Sequence, residues 1–207
     1  MNSVTHYHFT EKGAKAYSPV GVKNLFEKAI IDEDGSIEAV LTNKHKYKNL
    51  IELWYASFLA FAIHKWLKRK FNLNVPEKDP PDVLFLDESS GEAFPVEIME
   101  LFEYGKNHFD EDYEKLTKRI WQTKGITDLQ QCHLLLVSRI NANTLNISKF
   151  LQEMKKFNWK FERIWLGVFT LSTFSWSFFE IFPFRADNEI VSISVSIKNS
   201  EDMKFFY

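Results

Sequence analysis

Three features of this 207-residue chain predict an α/β fold, a mixed central β-sheet flanked by helices. A helical stretch with no Gly or Pro runs from Lys44 to Phe71. Two short apolar runs, Val83–Leu86 and Ala93–Met99, flank the turn residues Ser89-Ser90-Gly91. Helical and strand patterns then alternate before a closing set of strands, which is the pattern of a sheet layered with helices.

The elements follow in order. Residues 1–18 are polar and lack a period, and read as an arm or a short strand. Val22, Leu25, Phe26, Ala29 and Ile30 recur at helical spacing within Val20–Ile31. Pro19 sits just before them, where proline is tolerated, and Asp32-Glu33-Asp34-Gly35 ends the helix as an acidic turn. The long helix has a broad apolar face that includes Leu50, Leu53, Trp54, Phe58 and Phe61. Asn72–Pro81, with Pro76, Pro80 and Pro81, reads as a connector to the hairpin. Asp110–Lys124 is a second helix with Tyr113, Leu116, Ile120 and Trp121 on its apolar side, stopped by Gly125. His133–Ile140 is a nearly continuous apolar run, as in a strand buried on both faces. Ile147–Phe157 is a helix capped by Ser148 or Asn146. The runs 161–170, 174–182 and 190–197 read as strands, the last alternating strictly and so half-exposed.

Composition bounds the function. Hydrophobic residues at 45% and charged residues at 26% are ordinary for a globular protein, and the length suits a single domain over 1–207. Aromatics reach 16%, twenty of them Phe, so the core is expected to be built on rings. A net charge of −2 gives no overall basic field for nucleic acid, so a polyanion would need local patches or a metal. Two basic clusters, Lys44–Lys48 and His64–Lys70, lie near the ends of the long helix; the second suits a helix C-terminus electrostatically. The single cysteine, Cys132, excludes an internal disulfide and reads as a buried strand thiol. The N-terminus has no basic stretch followed by an apolar one, and no apolar run is long enough to span a membrane. The expectation is a cytoplasmic, intracellular protein.

Candidate chemistry centres on Pro80-Pro81-Asp82 and on Glu97 inside the second apolar run. Folding the hairpin brings Asp82 and Glu97 near each other. An acid inside a buried strand is costly unless its charge is compensated, and a hard divalent cation is one compensator. Glu52, amid Leu50-Ile51-Glu52-Leu53-Trp54, is another acid among apolar side chains. Glu180 is a further acid in an apolar strand, but no Pro-Asp precedes it. Strand alternation places Glu100 on the opposite face from Glu97 and Met99. His64 reads as a solvated residue of the basic face, and His6 and His8 alternate as on one face of a strand.

A Pro-Asp followed by a Glu within an apolar strand resembles the PD-(D/E)xK nuclease superfamily. The resemblance implies a restriction-endonuclease-like core of helix, three strands, helix and strand, here over about 45–140. It implies Asp82 and Glu97 as ligands of Mg²⁺ or Mn²⁺, with Glu52 as a third acid and the carbonyl of Ile98 completing the shell. The superfamily's lysine, two residues past the Glu, is replaced here by Met99. In cap-snatching endonucleases of segmented negative-strand RNA viruses the lysine can sit on the following helix. The stretch Glu114-Lys115-Leu116-Thr117-Lys118-Arg119-Ile120 is similar, with Lys115 the matching position and Lys118 one turn on. The implied activity is an endonuclease acting on DNA or RNA. The alternative is a degenerate nuclease-like fold that binds nucleic acid or a protein partner, or assembles as a homo-oligomer. No Gly-rich phosphate loop, paired-cysteine zinc site or Gly-x-Ser-x-Gly turn is present.

Overall fold

In the computed structural model, which describes residues 15–77, 80–101, 112–125, 129, 131–139, 145–170, 173, 175–184 and 191–196, each helix starts at a side-chain cap. The hydroxyl of Ser18 accepts from the Gly21 amide (3.1 Å) at the start of α1 (Pro19–Asp32). The acidic turn closes α1, with Gly35 at φ 80° donating to the Ile30 carbonyl. That positive φ is open to glycine without steric cost. Ser36 caps a short helix, α2 (Ile37–Thr42), that the sequence reading did not include; six residues are too few to show a period. Asn43 then caps α3 (Lys44–Leu67).

The α3 helix is buried from Leu53 through His64 on every side, not along one face. Phe26 of α1 stacks on Trp54 at 4.2 Å, one of the ring contacts that the phenylalanine content foretold. The helix stops at Leu67, short of the expected Phe71, because Lys68 turns into the left-handed region (φ 59°) and its amide donates back to His64. Phe71 instead opens β1 (Phe71–Asn74), within what reads in sequence as a connector. This strand pairs antiparallel with β2 (Val83–Asp87), and the Phe71 ring lies 5.6 Å from Phe85 and 5.5 Å from Phe94. Tyr17, in the N-terminal segment, bridges to Leu73.

The β2 strand pairs antiparallel with β3 (Ala93–Glu100), with Val83 opposite Val96 and Leu86 opposite Ala93. Asp87 locks the turn between them. Its carboxylate accepts from the Ser89 amide (2.8 Å), from the Ser89 hydroxyl (2.6 Å) and from Arg69. Burial alone would raise the Asp87 carboxyl, but the Ser89 hydroxyl and amide and then the Arg69 guanidinium outweigh it and hold it below the usual range. A depressed carboxylate stabilises the fold fully above its unfolded pKa of about 4, and that contribution is lost as pH falls through the lower folded value. Asp87→Asn is therefore expected to cost about 2–3 kcal/mol near neutral pH, and the gap to wild type should narrow in urea titrations below about pH 4. A gap that stays constant with pH would remove the charged bonds from this account.

The chain forms two compact units, one ending at Val96 and the other beginning at Glu97, so the division falls within β3. The elements described so far, as far as Val96, belong to the first. The second continues with α4 (Tyr113–Lys124), β4 (His133–Ser138), α5 (Ile147–Met154), β5 (Arg163–Thr170), β6 (Ser175–Phe182) and β7 (Ser192–Ser196). Strand β4 runs parallel to β5, while β5, β6 and β7 are antiparallel. With antiparallel strands in the first unit, a mixed set in the second and helices in both, the fold is mixed α/β as the sequence predicts.

In the second unit, Leu116 and Ile120 of α4 and Phe150 and Met154 of α5 share a core cluster with Leu134, Leu136, Ile164 and Leu166 of the sheet. Asn146 is the α5 cap, accepting from the Lys149 amide at 3.0 Å, and Ser148 lies inside the helix. All six residues of β4 are buried, and β7 alternates exposed and buried as expected. Cys132 is fully buried beside β4, as the sequence indicated. Ile181 is an extra residue on β6 at a register shift opposite Ile164 and Trp165, a bulge that keeps both Ile181 and Phe182 against the helix-covered face.

Candidate functional site

Asp82 and Glu97 are both buried polar residues, 7% and 5% exposed. Asp82 immediately precedes Val83, Glu97 immediately follows Val96, and Val83 and Val96 are register partners. Asp82 lies just before β2 in the first unit, and Glu97 is the first residue of the second. Ile98, whose carbonyl the resemblance enlists, is also buried. Met99 packs against the core cluster of the second unit, so the position where the superfamily carries lysine is spent on packing.

Glu97 does meet a lysine. The Lys124 ammonium, on the last residue of α4, forms an ion pair with a Glu97 carboxylate oxygen. The reach follows from helical spacing: Tyr113, Thr117, Ile120 and Lys124 fall on one stripe, and the first three are buried. Lys115 and Lys118 lie on the exposed side of α4. Lys115 is turned back to its own helix cap, with its ammonium 3.0 Å from Asp112. The signal for Lys124 was present in the sequence, as a lysine that continues the apolar stripe Leu116–Ile120 by one further turn.

The other candidates have local partners. Glu52 is 3.6 Å from Lys48, a turn earlier on α3. Glu100 pairs with Arg139 at 2.7 Å. Glu180 is fully buried and paired with Arg163, which accounts for an acid in an apolar strand without any ligand. His64 is not the solvated residue its basic neighbours suggested. It is 9% exposed, and its Nδ1 lies 3.2 Å from the Arg69 carbonyl, because the buried stretch of α3 runs from Leu53 as far as this residue. His6, His8, Asp110 and the loop 102–107 fall outside the described residues.

Among the described residues, no group of three or more His, Cys, Asp and Glu side chains could hold a metal ion. What remains is a buried acid in each unit, with an ammonium on Glu97 in the second. Two carboxylates with a backbone carbonyl are hard oxygen donors, and Mg²⁺ is commonly held by one or two carboxylates with water and substrate phosphate filling the shell. Asp82, Glu97 and the Ile98 carbonyl are each a donor of the kind that such an ion takes. No described helix is long and apolar enough to cross a membrane. No protein-family model, curated protein or solved structure matches the chain.

Proposed function

We propose that this chain is a metal-dependent nuclease of the PD-(D/E)xK type, hydrolysing phosphodiester bonds of DNA or RNA, with its lysine displaced to α4. The observation that carries this reading is the Lys124–Glu97 pair. It supplies a cation at the acidic strand from the helix that follows it, where Met99 leaves none. The element order adds support. With β1 present, α3-β1-β2-β3-α4-β4 follows the helix, three strands, helix, strand sequence of a restriction-endonuclease-like core.

In this reading Asp82, Glu97 and the Ile98 carbonyl would hold Mg²⁺ or Mn²⁺, and Glu52 would act through water. The bound ion would polarise the phosphate and lower the pKa of the attacking water. Lys124 orients that water and stabilises charge developing on the phosphate. The buried strand around Glu97 excludes bulk solvent, which strengthens both interactions.

A second reading, a degenerate nuclease-like module that binds nucleic acid or a protein, has its own support. Lys124 already compensates Glu97, so the buried acid needs no metal. Thermal unfolding in EDTA, Mg²⁺ and Mn²⁺ separates the two. For the nuclease, Mn²⁺ at a hundredfold excess over Kd should stabilise the wild type by about 2.7 kcal/mol, and Asp82→Ala should lose the shift. An unchanged melting curve in millimolar Mn²⁺, with no cleavage of single- or double-stranded DNA or RNA, favours the binding module.

A further inference from the structure

A cleft of about 600 Å³ opens in the first unit between α1 and the first turns of α3, with Tyr17 and Val75 at its edge. That volume lies within the 300–1,000 Å³ range of small-molecule sites. It takes in neither Asp82 nor Glu97. One part of its wall is apolar and includes Leu25, which is 42% exposed, and the buried Leu53. The Tyr17 ring adds a flat surface.

The polar part of the wall carries several kinds of group, among them Lys48, paired with Glu52, and Tyr47, bonded to Glu33. Lys28 and His45 are exposed, and neither has an ion-pair or hydrogen-bond partner among the described residues. Lys46 also lines the cleft but is already held by Glu33 at 2.8 Å. Asp32 is the one acid on the wall. Asn49 is exposed on the second turn of α3 and presents an amide with both donors and an acceptor.

The geometry points to this cleft as a binding site for a nucleoside phosphate, either free or within a single strand. The Lys28 ammonium and an imidazole N–H of His45 meet the phosphate, as exposed donors suit an exposed anion. Asp32 accepts from ribose hydroxyls, the usual role of an acid beside a bound nucleoside. Asn49 reads the base edge, for which an amide is bidentate to adenine, and Tyr17 and Leu25 cover the base face. Purely apolar ligands would strand these polar groups, and inorganic phosphate alone would leave the apolar wall wet.

Calorimetric titration of the full chain with adenosine monophosphate, a short single-stranded oligoadenylate and inorganic phosphate tests the assignment. Binding of either adenine probe is expected, weakened by about tenfold or more in Asn49→Ala, since a bidentate contact is worth about 1–3 kcal/mol. Lys28→Glu should weaken both probes further, and more steeply at low salt. Asp82→Ala, which would silence the proposed nuclease, should bind as the wild type does. Both cleft positions are exposed, so unchanged melting curves certify the fold of the variants. Monophosphate binding would identify a free-nucleotide site, and oligonucleotide binding alone a strand site. Absence of binding by both adenine probes at millimolar concentration overturns the inference. So do affinities unmoved by Lys28→Glu and Asn49→Ala, or inorganic phosphate binding as tightly as the nucleotide.

Discussion

Lys124→Ala is expected to lower metal-dependent cleavage by about 10²- to 10³-fold, the usual loss when one electrostatic donor leaves a reacting centre. Lys115→Ala and Lys118→Ala should stay within about twofold, because exposed charges of this kind contribute little. The contrast rests on placement: the Lys124 ammonium is on the Glu97 carboxylate, whereas Lys115 faces Asp112 and Lys118 faces solvent. Lys124→Arg should restore part of the activity and shift the alkaline limb of the pH profile, which a purely structural lysine would not do. Removing Lys124 also leaves a buried carboxylate without its cation, a change that costs about 3–5 kcal/mol for fully buried pairs. The Lys124 side chain is 22% exposed, so the cost here should fall at or below the lower end. Lys124→Met with Glu97→Gln removes both charges and separates stability from chemistry: it should melt near wild type yet not cleave. If activity survives Lys124→Ala and falls with Lys115→Ala, the lysine is the one that the viral endonucleases suggest. If neither change matters in a chain that does cleave, no lysine on this stretch of α4 takes part.

Gly167→Val should destabilise the second unit by about 3 kcal/mol or more, at the upper end of what overpacking costs. Gly167 lies in β5 directly opposite Phe178 of β6. A Cβ there would sit 2.9 Å from Phe178 Cε1 and 3.3 Å from Trp176 Cζ3. Neither ring can retreat easily. Trp176 and Phe178 are fully buried and stacked on each other at 5.5 Å, and Phe169 packs 5.1 Å from Trp176. Urea unfolding followed by tryptophan fluorescence reads the loss, and Phe178→Leu in the Gly167→Val background should recover part of it by freeing the space. A Gly167→Val chain as stable as wild type would mean that the ring stack is looser than this packing implies.

Much of the architecture was legible from short-range pattern. Pro19 and the acidic turn bracket α1, Ser89-Ser90-Gly91 marks the hairpin, Gly125 ends α4, and the alternation over 192–196 describes a strand open on one face. Each signal lies within a few residues of the element it specifies, so the chain carries it without tertiary help. The burial of Asp82 and Glu97 was legible for a similar reason, since acids flanked by apolar strand residues must go inside with them.

Other features depend on partners distant in sequence. Strand β1 exists because Phe71 packs between Phe85 and Phe94, and four residues have no period to betray it. His64 is buried because it is the last residue of the enclosed stretch Leu53–His64, although its neighbours Lys65, Lys68, Arg69 and Lys70 are exposed. Glu180 needs Arg163 of the adjoining strand, which strand composition alone does not reveal. The choice among Lys115, Lys118 and Lys124 is of the same kind. All three are ordinary helix lysines by composition; helical spacing marks Lys124 as continuing the buried stripe, but not what that stripe meets. Which one meets Glu97 was decided by how α4 lies in the packed unit, because an ion pair forms where packing brings two charges within a few ångströms, and helical phase turns Lys124 inward while its neighbours face water.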